Sequence, residues 1–339
     1  MNFGSRAAAA LCLAAVAPAL AGALPAAAQG APREHLSIVG PMAVFPLAVA
    51  AGERFALDSG HAAPVVEPTG SEAGIALFCA GEGARHPDIL GAVRRLTRAD
   101  LAACTSNGVG VSELLVGYQA VALAQNPGPA PLFLTRRQLF LALAREVPVN
   151  GRLTANPYRL WSDIDFALPV KPIAVLGPPP GSPLRDAFVE LVMAPAAAEL
   201  PTLRGREVGA LREDGVFVEL GEDEGVVLSE LARRPEALAI VSFNHLALKG
   251  EGFLAVPLDG VAPTPATIAD GRYGAARPVQ LYVKRAHAAF VPGLKEYLAT
   301  LLGDAASSPA GFLTVRGLVP LPPAAAAAQR AAAQSLPPL

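Results

Sequence analysis

The sequence carries no CxxC pair, no P-loop and no GxSxG nucleophile elbow. Its five histidines, His35, His61, His86, His245 and His287, show neither metal-ligand spacing nor a triad motif. No nucleophile with a base beside it can be named, so an enzyme is the weakest of the functional classes, and neither a metal nor a cofactor is expected. "GEDEG", from Gly221 to Gly225, lacks the alternating oxygen ligands of a calcium loop and reads as a solvated turn. Long basic runs are missing as well. The 27 Lys and Arg, one of them Arg6 near the N-terminus, face 29 Asp and Glu, a balance that argues against nucleic acid and anionic membrane surfaces as partners.

Long apolar runs are equally scarce. The one present, Ala7 to Leu24, follows Arg6, is interrupted by Pro18 and Gly22, and leads into Ala26, Ala27 and Ala28. This is the pattern of a secretory signal peptide over residues 1–28 with a small-residue cleavage site, and it predicts a soluble, periplasmic protein. Cysteine is sparse: of three, Cys12 leaves with that segment, and Cys79 and Cys104 remain. In an oxidising compartment they most simply form one disulfide, two buried free thiols being the alternative.

What is present is a repeated strand, loop and helix pattern. It occurs in "LSIVGPMAVFPLAVAAGERFA", "PVVEPTGSEAGIALFC" and "PIAVLGPPPGSPLRDAFVELV". Apolar runs feeding Gly/Pro/Ser loops and then helical periodicity predict parallel strands in an α/β architecture, with helix N-termini along one sheet edge. Further strands are expected in "VGYQAVALAQ", "ALAIVSF" and "VQLYVKR", and further helices in "TRRQLFLALAREV", "VVLSELARR" and "VPGLKEYLATLL". About 310 residues follow the leader, enough for two lobes with separate cores. Residues 323–339 form a low-complexity Ala/Pro tail without apolar periodicity, expected to stay mobile.

Within "GPPPGSPLRDAFVELV", Leu184, Phe188, Leu191 and Val192 share one helical face. Ser182 then reads as an N-cap and Pro183 as the first helical residue, where its missing N–H costs little. That reading is complete without a ligand, yet a helix N-terminus also suits an anion. Ser71 repeats the arrangement after Gly70, and the loop from Gly40 to Pro46 also leads from strand into helix. Three such ends after parallel strands make a better candidate site than one. Tyr158 and Trp161 in "NPYRLWSDI" are expected to be packing residues.

The segments "IVGPMAVFP", "TGSEAGIALFCAG", "HPDILGAVRRL", "CTSNGV", "GPPPGSPLRDAFVELV", "DGVAPTPATIADGRYGAARPVQLYVK" and "GLVPLP" carry a resemblance spanning about residues 36 to 322. Through them the chain resembles the PstS-like periplasmic phosphate-binding proteins of ABC importers, in the type II periplasmic binding protein family. The resemblance implies two lobes, each a mainly parallel sheet flanked by helices, with a ligand cleft between them. Lobe I would be 34–118 plus 252–322 and lobe II 119–251. It implies a monomer that delivers inorganic phosphate or a similar small anion to an inner-membrane ABC permease, and it supports pairing of Cys79 with Cys104. Ligand contacts would come from Ala43, Val44, Gly70, Ser71, Arg94, Ser182 and Arg185.

This sequence departs from the family pattern at the ligand loops. The first loop has Gly40, Pro41, Met42 and Ala43 where hydroxyl residues are usual; Val93 and Leu184 each replace another, and Pro183 removes a backbone N–H. Glu72 adds a carboxylate where a small residue is usual, competing with an anion for the same donors. Three or four lost donors at about 1.5–3 kcal/mol each approach the whole binding free energy of a micromolar ligand, about 8 kcal/mol. Phosphate is therefore expected to bind more weakly than at a full site, with Arg94 as main countercharge. The alternative is an envelope protein that keeps the fold for protein contact or sensing after losing its ligand site.

Overall fold

The structure, a computed structural model, describes residues 34–128, 131–206, 209–308 and 310–339. The expected signal peptide lies outside the described residues. Strands β1 (Ser37–Gly40), β2 (Val65–Pro68) and β3 (Ile89–Ala92) pair in parallel in the order β2-β1-β3, each followed by a helix: Phe45–Ser59, Ser71–Cys79 and Arg98–Ser106. Helices on both sides of such a sheet require both faces of a strand to be apolar. Neighbouring residues accordingly enter different cores, because successive side chains point to opposite faces. Ile38 and Ile89 pack with Phe55, whereas Val39 and Leu90 pack with Phe78.

The long strand β4 (Val111–Gln125) runs on into the second half of the molecule, which holds the hairpin β5 (Glu146–Val149) and β6 (Arg152–Ala155) and the parallel strands β7 (Val175–Gly177), β8 (Phe217–Glu219) and β9 (Leu238–Ser242). The chain returns through β10 (Leu254–Ala255), β11 (Ala276–Lys284) and β12 (Val319–Pro320). One curled sheet results, in the order β2-β1-β3-β11-β4-β9-β7-β8. β4 joins its halves: residues Val111 to Ala120 pair antiparallel with β11, and Val121 to Gln125 pair antiparallel with β9. The same face alternation recurs here, with Val121, Leu123, Leu238 and Ile240 packed on Phe140, Trp161 and Phe188, and Ala122, Ala124, Ala239 and Val241 on Leu228 and Leu231. β10 pairs with the end of β4, and Val256, Ile268 and Tyr273 share the core of Phe140. Pairing with the first half resumes at Ala276.

Side-chain caps set the starts of several helices. Thr135 caps the Arg136–Leu143 helix in a capping box, and Asp223 in "GEDEG" caps the Glu224–Arg233 helix by accepting from Gly225 N at 2.8 Å. Cys79 and Cys104 are bonded, tying the Ser71–Cys79 helix to Arg98–Ser106. Among the described residues no helix is long and apolar enough to cross a membrane.

The tail departs from expectation. Pro323–Ser335 is a helix packed on the Leu294–Leu302 helix and on β4, with Ala333 and Leu336 in the core of the first half. β12 pairs only as far as Gly117, and the tail covers the rest of that edge of β4. Gln329 Oε1 accepts from Leu115 N at 2.8 Å, Ser112 Oγ donates to Pro337 O at 2.6 Å, and Leu339 N donates to Val111 O at 3.0 Å. An open strand edge needs such cover. Alanine has the highest helix propensity, but a single short helix is marginal alone and gains its stability from docking, which sequence periodicity does not reveal.

Candidate functional site

A cleft of about 370 Å³ opens where β4 passes from one half of the sheet to the other. Its floor is Gln119, Ala120 and Val121 of β4 with Arg277 of β11. The first half contributes Ala43 and Pro46 at the start of the Phe45–Ser59 helix and Thr314 to Gly317 near the C-terminus. The second contributes Ser182 to Leu184, Glu224, Ser242 and His245. Ala43, Ser182, Glu224 and Ser242 lie at or just after the carboxyl ends of the parallel strands β1, β7, β8 and β9, whereas Gln119 lies within β4, Arg277 at the start of β11 and Thr314 to Gly317 before β12.

Gln119 and Arg277 lie opposite each other in the β4/β11 register. Gln119 Nε2 donates to Ala43 O at 2.9 Å, fixing the first loop to the floor. Its Oε1 accepts from Nε and Nη2 of Arg277, both at 3.3 Å. Arg277 Nη1 pairs with Glu190, which sits in a wider π turn, Val189–Met193, that continues the Pro183–Phe188 helix. Burial lowers the Arg277 pKa, opposed by Glu190 and Asp186. Asn244 Nδ2 bridges the halves by donating to Thr314 O (2.9 Å) and Leu318 O (2.5 Å). Glu224 accepts from both the backbone N and the hydroxyl of Ser242, so this carboxylate is held. Among the described residues, His245 Nε2 and Thr314 Oγ1 are buried with no hydrogen-bond partner.

The sequence-derived site residues divide. Ala43 and Ser182 line the cleft. Ser182 is buried and caps its helix by accepting from Arg185 N at 3.2 Å, the role read from the sequence, and its own hydroxyl hydrogen stays available to a ligand. Val44 is buried beside Gly91, where an added Cβ would come within 2.7 Å of it. Gly70, with φ of 83°, precedes the Ser71–Cys79 helix and donates its N–H to Gly40 O at 3.2 Å, so the first two loops do meet. Neither Gly70 nor Ser71 lines the cleft.

Arg94 is not free countercharge. Its Nη2 bonds Glu72 at 2.9 Å and its Nη1 bonds Asp100 at 2.8 Å. Bonding to Asp100 and then to Glu72 raises the Arg94 pKa. Burial works against ionising Asp100, but the bonds from Arg94 and Thr97 outweigh it and hold the carboxyl below its usual value. Arg185 faces away from the cleft into a separate depression, with Nη1 on Pro178 O at 3.1 Å and its guanidinium 4.6 Å from the Phe217 ring centroid. Burial lowers its pKa.

Arg277, Gln119, His245 and Thr314 were not anticipated. The one local signal was an arginine before proline at the head of the apolar run "VQLYVK"; its burial depends on pairing across β4, which only the fold supplies.

A family model described as a PBP superfamily domain matches residues 25–305. The chain is 28% identical over 337 residues to Protein SphX of Synechococcus elongatus, covering 96% of this chain and 88% of that protein, and 24% identical over 296 residues to Protein SphX of Synechocystis, covering 85% and 79%. Among solved structures, a possible phosphate binding protein from Planctomyces limnophilus aligns over 90% of this chain and 99% of its own, with TM-score 0.72 at 20% identity. PstS from Borrelia burgdorferi aligns over 82% and 96%, with TM-score 0.56 at 17% identity.

Proposed function

The chain belongs to the PBP superfamily and has the two-lobed type II fold, and on that premise we propose that it is a periplasmic solute-binding protein of an ABC importer. It holds phosphate or a related small oxyanion or acid in the interlobe cleft and performs no chemistry on it. Lobe I is residues 34–120 with 276–339, and lobe II is 121–275. The observation that carries this reading is the cleft itself: helix starts from both lobes, at Ala43 and Ser182, converge on a floor containing a buried arginine. The names of the structural relatives, a phosphate binding protein and PstS, support the ligand class. Loading occurs in the monomer, and an inner-membrane permease receives the solute.

A second reading has its own support. The hydroxyls usual in the family are absent at Ala43, Val93 and Leu184, and Arg94 is held between Glu72 and Asp100. An envelope protein that uses the fold for contact or sensing would look the same at those positions. Native mass spectrometry of the purified mature protein separates the two. A retained small anion supports solute binding; an empty protein that also gives no heat with phosphate, sulfate or carboxylates supports the second reading.

A further inference from the structure

We propose that the cleft takes a small organic monocarboxylate, its head on Arg277 and its apolar body against Leu184, Val227 and Ile240, with Glu190 as an internal competitor for the same guanidinium. The inference rests on the solute-binding reading and narrows its ligand class.

Arg277 is buried in the cleft wall, its side chain 6% exposed, while its partner Glu190 is 52% exposed. Glu190 can return to water; Arg277 cannot. Glu190 lies outside the cleft lining, so it competes for charge rather than for space. A guanidinium has five N–H donors, and Gln119 and Glu190 engage three of Arg277's among the described residues. Arg277 pairs with one carboxylate from outside the cleft and itself lines the cleft. Planar carboxylates match this fork, often in bidentate fashion.

Two further features call for a polar ligand head. His245 and Thr314 line the cleft, and their Nε2 and Oγ1 atoms are buried without a protein partner, Thr314 being 4% exposed. Buried polar atoms are nearly always hydrogen-bonded, so these two are places for a partner that the described residues do not supply.

Size and charge select among anions. At about 370 Å³ the cleft falls in the range of organic-ligand sites, about 300–1,000 Å³, and like them it is walled mainly by aliphatic side chains. A bare tetrahedral ion would leave most of that wall untouched. The cleft cations Arg277, Lys249 and Arg316 are offset by Glu222 and Glu224 in the wall and Glu190 behind it. These charges balance, and when Glu190 turns to solvent one positive charge is left over, which compensates a monoanion and not a dianion.

Titration calorimetry on the full mature chain tests this with acetate, hexanoate, benzoate and inorganic phosphate at one pH and ionic strength. Hexanoate or benzoate is expected to bind about tenfold or more tightly than phosphate. Arg277→Gln should weaken carboxylate binding about tenfold, with circular dichroism checking that the variant folds. Glu190→Gln, at an exposed site that does not threaten folding, should strengthen it about threefold. Phosphate binding at least as tight as any carboxylate, or carboxylate binding unaltered by Glu190→Gln, overturns the inference and leaves solute binding standing. No heat from any probe, with no anion retained in native mass spectrometry, removes both.

Discussion

Two groups of buried polar side chains sit in this molecule under different conditions. In lobe I, Asp88 and His287 are fully buried and fully bonded. Asp88 Oδ2 accepts from Ser37 N at 2.7 Å, its Oδ1 meets His287 Nδ1 at 2.6 Å, and His287 Nε2 accepts from Gly83 N at 2.9 Å. Because Nε2 accepts, Nδ1 carries the proton that Asp88 receives. At the cleft, Arg277 is held by long bonds to Gln119 and by an exposed glutamate, and His245 and Thr314 each leave a buried atom unpaired. A closed network positions the chain that makes it; an incomplete one has donors left for something else. Among the described residues Trp161 Nε1 is also buried without a partner, in the core around Phe140, so an open group points to a site only where, as at His245 and Thr314, it also lines the cleft.

The largest expected effect falls on the closed group. Asp88→Ala leaves the Ser37 N–H and the His287 Nδ1–H without their acceptor, and should cost about 3–5 kcal/mol in urea unfolding. An equally large loss from Thr314→Val would erase the contrast, since the hydroxyl there has no partner among the described residues to lose. Reduction of the Cys79–Cys104 bridge comes next, at about 2–4 kcal/mol, read as a lowered unfolding midpoint in the presence of a reductant. Truncation after Pro322 should cost about 1–3 kcal/mol by removing the burial of Ala333 and Leu336 and the bonds along the edge of β4. Sedimentation velocity would then detect whether that uncovered edge associates.

Arg94→Ala should do least. Its side chain is more than a third exposed and its guanidinium bridges two acids, so stability should change by less than about 1 kcal/mol. The sequence reading makes Arg94 the main countercharge; its bonds to Glu72 and Asp100 argue against that role, and a binding measurement decides it. The position of Arg94 beside the second loop was readable, but the commitment of both its terminal nitrogens to Glu72 and Asp100 was not.

Other features divide along the same line. Strand, loop and helix order, the Ser182 cap and the cysteine pair depend on neighbours in sequence or on the redox setting, and were legible. The tail was misread because its helix depends on an uncovered stretch of β4 more than two hundred residues earlier in the chain. Arg277 was passed over for a related reason. An arginine in a strand reads as a solvated charge by default, and the burial of Arg277 opposite Gln119 depends on the pairing of β11 with β4. The family likeness placed attention on helix starts, two of which, at Ala43 and Ser182, do reach the cleft.

The central claim is that the open polar group at the cleft floor, and not the Arg94 end of lobe I, holds the solute. Calorimetric titration of the anion that binds most tightly, carried out in parallel on wild type, Arg277→Gln and Arg94→Ala, tests it directly. The account predicts a loss of about tenfold or more for Arg277→Gln and a change below about threefold for Arg94→Ala. A large loss with Arg94→Ala and none with Arg277→Gln would contradict it.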